Sequence, residues 1–120
     1  MKSSKRRVLV VDDVYANRVL ARAYLELLGW DVQECDCPLA ALQLIKLRVP
    51  GAMLIDILLP EMSGDALARR IRSDPLMNNT RLVAYTAHAL EAELVEFMKA
   101  GFDQILTKPA LLDDFRRAFS

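Results

Sequence analysis

Two cysteines and one histidine are all the thiol and imidazole ligands this chain carries. Cys35 and Cys37 are too few for a disulfide framework, and with only the distant His88 they cannot close a four-ligand zinc site. Reduced, structural thiols are the expected state. No apolar run exceeds four residues, as at Val8–Val11, so no membrane-spanning helix is expected. The basic start at Lys2, Lys5, Arg6 and Arg7 meets Asp12-Asp13 directly after that run, which argues against a secretory signal and for a cytoplasmic protein. Glycine is scarce, and no Gly-rich dinucleotide or phosphate loop occurs, against a nucleotide enzyme. Net charge is missing too: 16 basic residues balance 16 acidic ones. Four of the basic groups lie in the first seven residues, leaving 12 against 16 in the rest. An acidic body neutralises phosphates poorly, so direct DNA binding is not expected. Residues 1–6 read as a short solvated basic tail.

What is present is a regular alternation. The 120 residues, 53% hydrophobic, suit one globular domain. Apolar runs at Arg7–Val11, Val32–Cys35, Ala52–Asp56, Leu82–Thr86 and Gln104–Thr107 read as strands. Helical patterns fall between and after them. The first, over 16–28, has Ala16, Leu20, Tyr24 and Leu27 as its predicted buried stripe and Arg18, Arg22 and Glu26 outward. The second, from Pro38 to about Arg48, is expected to bury Leu39, Leu42 and Ile45; the third, Gly64 to Ser73, to turn Arg69, Arg70 and Arg72 outward. Leu90, Leu94 and Phe97 stripe a fourth, and Leu112, Phe115 and Phe119 a fifth. Five strands alternating with five helices predict parallel β-α units with helices on both faces of one sheet.

In such a sheet, ligands collect beyond the carboxyl ends of the strands. The first strand ends on Asp12-Asp13, the third on Asp56, the fourth on Thr86, and the fifth runs into Lys108-Pro109. Three carboxylates gathered there repel one another, by about 4 kcal/mol per pair at ~4 Å and an effective dielectric of 20. A cation relieves this, either Lys108 or a divalent ion, and hard oxygen ligands suit Mg²⁺. The set reads as metal-assisted phosphoryl chemistry, with an aspartate as available nucleophile. Singly, each residue has an ordinary reading: Asp13 as a helix cap, Thr86 as a strand residue, Lys108 as a solvated charge. Jointly, four strand ends would have to carry such groups without purpose.

The motifs Val10-Val11-Asp12-Asp13, Leu54-Ile55-Asp56 through Gly64, Tyr85-Thr86-Ala87 and Leu106-Thr107-Lys108-Pro109 resemble the four signatures of response-regulator receiver domains. These are the phospho-accepting domains of two-component signalling. The resemblance covers residues 7–120 and is nearest to stand-alone, single-domain receivers. It implies a flavodoxin-like (βα)5 fold with strand order 2-1-3-4-5. It implies Asp56 as phosphoacceptor, taking its phosphoryl group from a histidine kinase or a histidine phosphotransfer protein. Asp13, Asp56 and the Leu58 carbonyl would hold Mg²⁺, and Asp12 would act mainly through ordered water. Lys108 and Thr86 would bind the phosphoryl group, and the amides of Ile57, Leu58 and Ala87 would complete the cradle. The Lys108-Pro109 bond is expected to be cis.

Two departures matter. The position at which such domains carry a swinging aromatic is Ile105, with no ring and no hydroxyl. Tyr85 is no direct substitute, because strand alternation points it away from Thr86, and it reads as core. The positions that tune phosphoryl lifetime are Leu58 and His88; neither is an acidic base, so slow hydrolysis is expected. The fourth helix with the fifth strand and last helix is the expected contact face for a downstream protein, and Glu91, Glu93, Glu96 and Lys99 read equally as its variable contacts or as a solvated helix face. A second copy of the chain is a further candidate partner. With 120 residues the chain has room for the switch alone, so output by protein contact is expected. The chain would catalyse only its own phosphorylation and dephosphorylation. Alternatives are a phosphorylation-independent scaffold, which only Ile105 favours, or an aspartate-nucleophile phosphatase, which Leu58 in place of a second aspartate disfavours.

Overall fold

The computed structural model describes residues 6–87 and 90–120. Five strands, β1 (Arg7–Val11), β2 (Asp31–Cys35), β3 (Ala52–Asp56), β4 (Arg81–Thr86) and β5 (Gln104–Thr107), alternate with α1 (Tyr15–Leu27), α2 (Pro38–Leu47), α3 (Gly64–Arg72), α4 (Glu91–Ala100) and α5 (Leu112–Phe119). All pairings are parallel and the sheet order is 2-1-3-4-5, the flavodoxin-like arrangement. Alternation along each strand divides the core into two layers. Leu9, Val11, Met53, Ile55, Leu82 and Ala84 face α2, α3 and α4. Val8, Val10, Leu54, Val83, Tyr85 and Leu106 face α1 and α5, whose inward residues include Leu25 and Phe115. Central β3 is buried along its whole length, as a strand covered on both faces must be.

The helices are not all turned as their periodicity predicts. On α1 the buried residues are Ala21 and Leu25, while Leu20 and Leu27 are exposed. Arg18 and Arg22 both reach Glu34 on β2, Arg18 at 3.2 Å. These ion pairs tie the supposed polar face to the sheet edge, and small Ala21 allows the close approach. On α2, Ala41 takes the inward place expected of Leu39, which is exposed. Arg72 is half-buried instead of outward: its guanidinium donates to the Gly101 and Met77 carbonyls at 3.0 and 2.7 Å and pairs with Asp103 at 2.8 Å. A short 3₁₀ turn at Pro75–Met77 had no periodic signal. The expected helix stops at Gly29 and Gly101 both have positive φ, 92° and 112°, which glycine adopts without strain.

Arg6 is not part of a wholly solvated tail. Its guanidinium lies 4.6 Å from the centroid of the Trp30 ring and donates to the Leu28 carbonyl at 2.7 Å. Trp30 precedes β2, at the end of the sheet opposite Asp56, and packs edge-on against Phe119. Among the described residues, no helix is long and apolar enough to cross a membrane.

Candidate functional site

The strand ends converge as their sequence predicts. Asp12 follows β1, Asp56 closes β3, Thr86 closes β4 and Lys108 follows β5. Asp12, Asp13 and Asp56 each offer a carboxylate oxygen within 4.8 Å of the others. Asp12 and Asp56 are buried and Asp13 is exposed, so the cluster opens outward through Asp13. Lys108 Nζ lies 3.4 Å from Asp56 Oδ2 and 3.9 Å from Asp12 Oδ2. Thr86 is buried at the same edge. The Lys108-Pro109 bond is cis, and the Lys108 amide donates to the Thr86 carbonyl at 2.7 Å.

The Asp12 and Asp56 carboxylates are each held at one oxygen by hydrogen bonds. Asp12 Oδ1 accepts from the Val14 amide at 2.9 Å and from Asn17 Nδ2 at 3.4 Å. Asp12 Oδ2 is buried with no hydrogen-bond partner among the described residues. Burial pushes the Asp12 carboxyl up to about 6; the Asp56 charge adds to this, against the Val14 amide, Lys108 and Asn17. A buried carboxylate oxygen without a donor is costly. Three clustered carboxylates, one with a buried oxygen that lacks a donor, suit a hard divalent cation. The residues present therefore fit Mg²⁺.

Asp56 Oδ1 accepts from the Leu58 amide at 3.1 Å, a turn that holds the carboxylate against its own backbone. The expected cradle needs one correction here. The Ile57 amide is already engaged, donating to the Tyr85 carbonyl at 3.1 Å to continue the β3–β4 ladder, so it is not a free donor for an anion. The Leu58 side chain is exposed. His88 lies outside the described residues. Ile105 is half-buried against the α2–α4 layer. Glu93, expected as a contact residue, accepts from the Leu90 amide at 3.3 Å and so caps its own helix. Cys35 is half-buried, and burial pushes its thiol up to about 12, as befits a structural residue.

Three supporting residues were given no site role from the sequence. Arg18 donates to the Asp12 carbonyl at 2.8 Å, and Asn17 reaches the same residue's carboxylate. Gly64 lies so close to the backbone below Asp56 that a Cβ there would stand 2.3 Å from the Asp56 carbonyl oxygen and 2.8 Å from Ile57 Cα. Both obstacles are backbone, so neither can rotate away. Gly64→Ala is expected to cost at least the ~1–3 kcal/mol typical of overpacking and to displace Asp56. Denaturant unfolding checks the first effect; unchanged stability would mean that the α3 start relaxes freely.

With this geometry in place, the comparisons are direct. Residues 8–120 match the family model "Response regulator receiver domain". The chain is 37% identical over 103 residues to the aerobic respiration control sensor protein ArcB of Escherichia coli, covering 85% of this chain and 13% of that protein. It is 31% identical over 108 residues to the response regulator PleD of Caulobacter vibrioides, covering 90% of this chain and 23% of that one. The chain thus spans a small fraction of these relatives. Its fold superposes with a TM-score of 0.86, at 26% identity and over 95% and 93% of the two chains, on the receiver domain of a Pseudomonas aeruginosa sensor histidine kinase. That crystal structure has a magnesium ion coordinated in its active-site cleft. This chain belongs to the response-regulator receiver domain family of two-component systems, whose members are in general signalling switches and not metabolic enzymes.

Proposed function

We propose that residues 7–120 act as a receiver switch that takes a phosphoryl group from a histidine kinase or a histidine phosphotransfer protein onto Asp56. The observation that carries this reading is the meeting of Asp12, Asp13 and Asp56 within 4.8 Å, next to Lys108. Asp12, Asp13 and Asp56 are the residues that would hold Mg²⁺, the Leu58 carbonyl serving as a further oxygen ligand. Bound there, the ion would offset carboxylate repulsion and the charge of the incoming phosphoryl group. Asp56 supplies the nucleophilic oxygen: its bond to phosphorus forms as the phosphorus–nitrogen bond of the donor histidine breaks. Lys108 neutralises charge beside Asp56, Thr86 and the Ala87 amide donate to phosphoryl oxygens, and the Leu58 amide would exchange its bond to Asp56 Oδ1 for one to the phosphoryl group. Asp56 is oriented before reaction by its bond from the Leu58 amide, so little reorganisation is left for the reacting state.

The new charge, about −1.5 to −2, is then read by a downstream protein through altered contacts. Leu58 and His88, the two positions expected to tune phosphoryl lifetime, carry no carboxylate, which favours slow loss of the group. The test is to weigh the protein after incubation with Mg²⁺ and acetyl phosphate. A gain of ~80 Da, one phosphoryl group, is expected. After donor removal the adduct should persist for minutes, and loss within seconds would reject the slow-hydrolysis reading. No gain from acetyl phosphate or a cognate kinase would favour the phosphorylation-independent scaffold.

A further inference from the structure

The chain lacks an aromatic at position 105, on the sheet face it shares with Thr86, but has one on the other face. Tyr85 is 3% exposed, in the α1–α5 layer, and is the register partner of both Asp56 on β3 and Leu106 on β5. Alternation puts Asp12, Asp56 and Lys108 toward that same layer. Tyr85 is thus one strand over from the phosphoacceptor and directly beneath the lysine: Lys108 Nζ stands 4.7 Å from the Tyr85 ring centroid. The ring cannot easily leave, since Phe115 packs edge-on against it at 6.0 Å and is itself fully buried.

The two carboxylates alone do not fix Lys108. Its distances to Asp56 and Asp12, 3.4 and 3.9 Å, exceed the ~2.7–2.9 Å of a charge-assisted hydrogen bond. Two carboxylates at those ranges attract the ammonium without fixing it, because Coulomb attraction falls slowly with distance and has no preferred angle. An aromatic face does have a preferred site for a cation, over the ring within about 6 Å of its centroid. We infer that Tyr85 is a positioning residue for Lys108, its ring holding the ammonium between Asp12 and Asp56 so that it meets the phosphoryl group already in place. The inference rests on the phospho-acceptor reading for its kinetic consequence but not for the contact itself. It also gives Tyr85 a site role distinct from the aromatic readout that Ile105 cannot supply: Tyr85 acts on the lysine and not on Thr86.

The test separates the ring's charge distribution from its bulk. Tyr85→Phe keeps the ring and should accept the phosphoryl group from acetyl phosphate at close to the parent rate. A trifluorinated phenylalanine at position 85 keeps the packing against Phe115 but removes the negative ring face. It should slow adduct formation about two- to thirty-fold relative to Tyr85→Phe, with a cooperative unfolding transition retained. Tyr85→Leu should slow it as much, and should also abolish the upfield ring-current shift of the Lys108 Cε protons in NMR spectra of the donor-free protein. If the fluorinated and plain phenylalanine variants react at equal rates, the ring is only core and the inference fails. If the Lys108 protons show no ring-current shift in the parent protein, it fails as well. A parent protein that gains no mass but shows the shift would overturn the phospho-acceptor reading and leave the contact standing.

Discussion

Asp56→Asn is expected to gain no mass from Mg²⁺ and acetyl phosphate, where the parent protein gains ~80 Da. The change removes one charge and keeps the shape. The asparagine Oδ1 can still accept from the Leu58 amide, so the turn after β3 survives. What is lost is a nucleophilic oxygen, because the amide's electrons are delocalised and its nitrogen forms no stable bond to phosphorus here. Stability should move the other way. Asp56 contributes to the upward push on the Asp12 carboxyl, a sign that the two charges oppose each other in the folded state. Without Mg²⁺ the variant should therefore unfold no earlier than the parent, offset only by the loss of its Lys108 contact. With Mg²⁺ the parent should gain more, since an ion that binds only the folded form stabilises it by mass action. Thermal unfolding with and without the ion reads both effects. An ~80 Da adduct on Asp56→Asn would place the acceptor elsewhere and undo the assignment.

Phe115→Ala should be among the most destabilising single changes in the chain, at about 3–5 kcal/mol. Phe115 is fully buried and is the hub of the α1–α5 layer: Tyr24 lies 5.3 Å away, Tyr85 6.0 Å and Phe119 6.3 Å by ring centroids. Its removal leaves a hole bounded by three rings, none of which can fill it without losing its own packing. Against a total stability of about 5–15 kcal/mol, such a loss is a large fraction, and partial unfolding near physiological temperature is expected. Urea unfolding measures it, and a loss under about 1 kcal/mol would mean that the layer collapses around the vacancy. The same variant loosens the wall behind Tyr85, so its Lys108 should lose ring-current shift even at temperatures where the chain stays folded.

The strand runs and the chemistry at their ends were legible because both are local. A parallel strand covered on two faces is apolar along its length, as Ala52 to Ile55 are, and its last residue, Asp56, reaches the ligand edge whichever way the helices pack. Asp12, Asp56 and Lys108 could therefore be placed together from spacing alone. Helix rotation was less legible, because periodicity cannot distinguish two apolar stripes on one helix. On α1 the structure chose the Ala21–Leu25 stripe over Leu20 and Leu27, through Arg18 and Arg22 pairing with Glu34, a residue 12 to 16 positions away in sequence. Glu93 looked like a free surface charge until the helix start placed it on the Leu90 amide.

The amino-acid sequence by itself determined the order of elements, the strand ends and the chemical types that meet there, since each follows from hydrophobic period and chain order. Only the tertiary structure decided which groups are already engaged and which are left unsatisfied. It assigned the Ile57 amide to the sheet, left Asp12 Oδ2 buried without a donor, and set Gly64 against the Asp56 carbonyl. It also brought the ring of Tyr85 under Lys108. Those outcomes depend on distances of a few ångströms between segments far apart in the chain, which burial and register fix only once both helix layers close on the sheet.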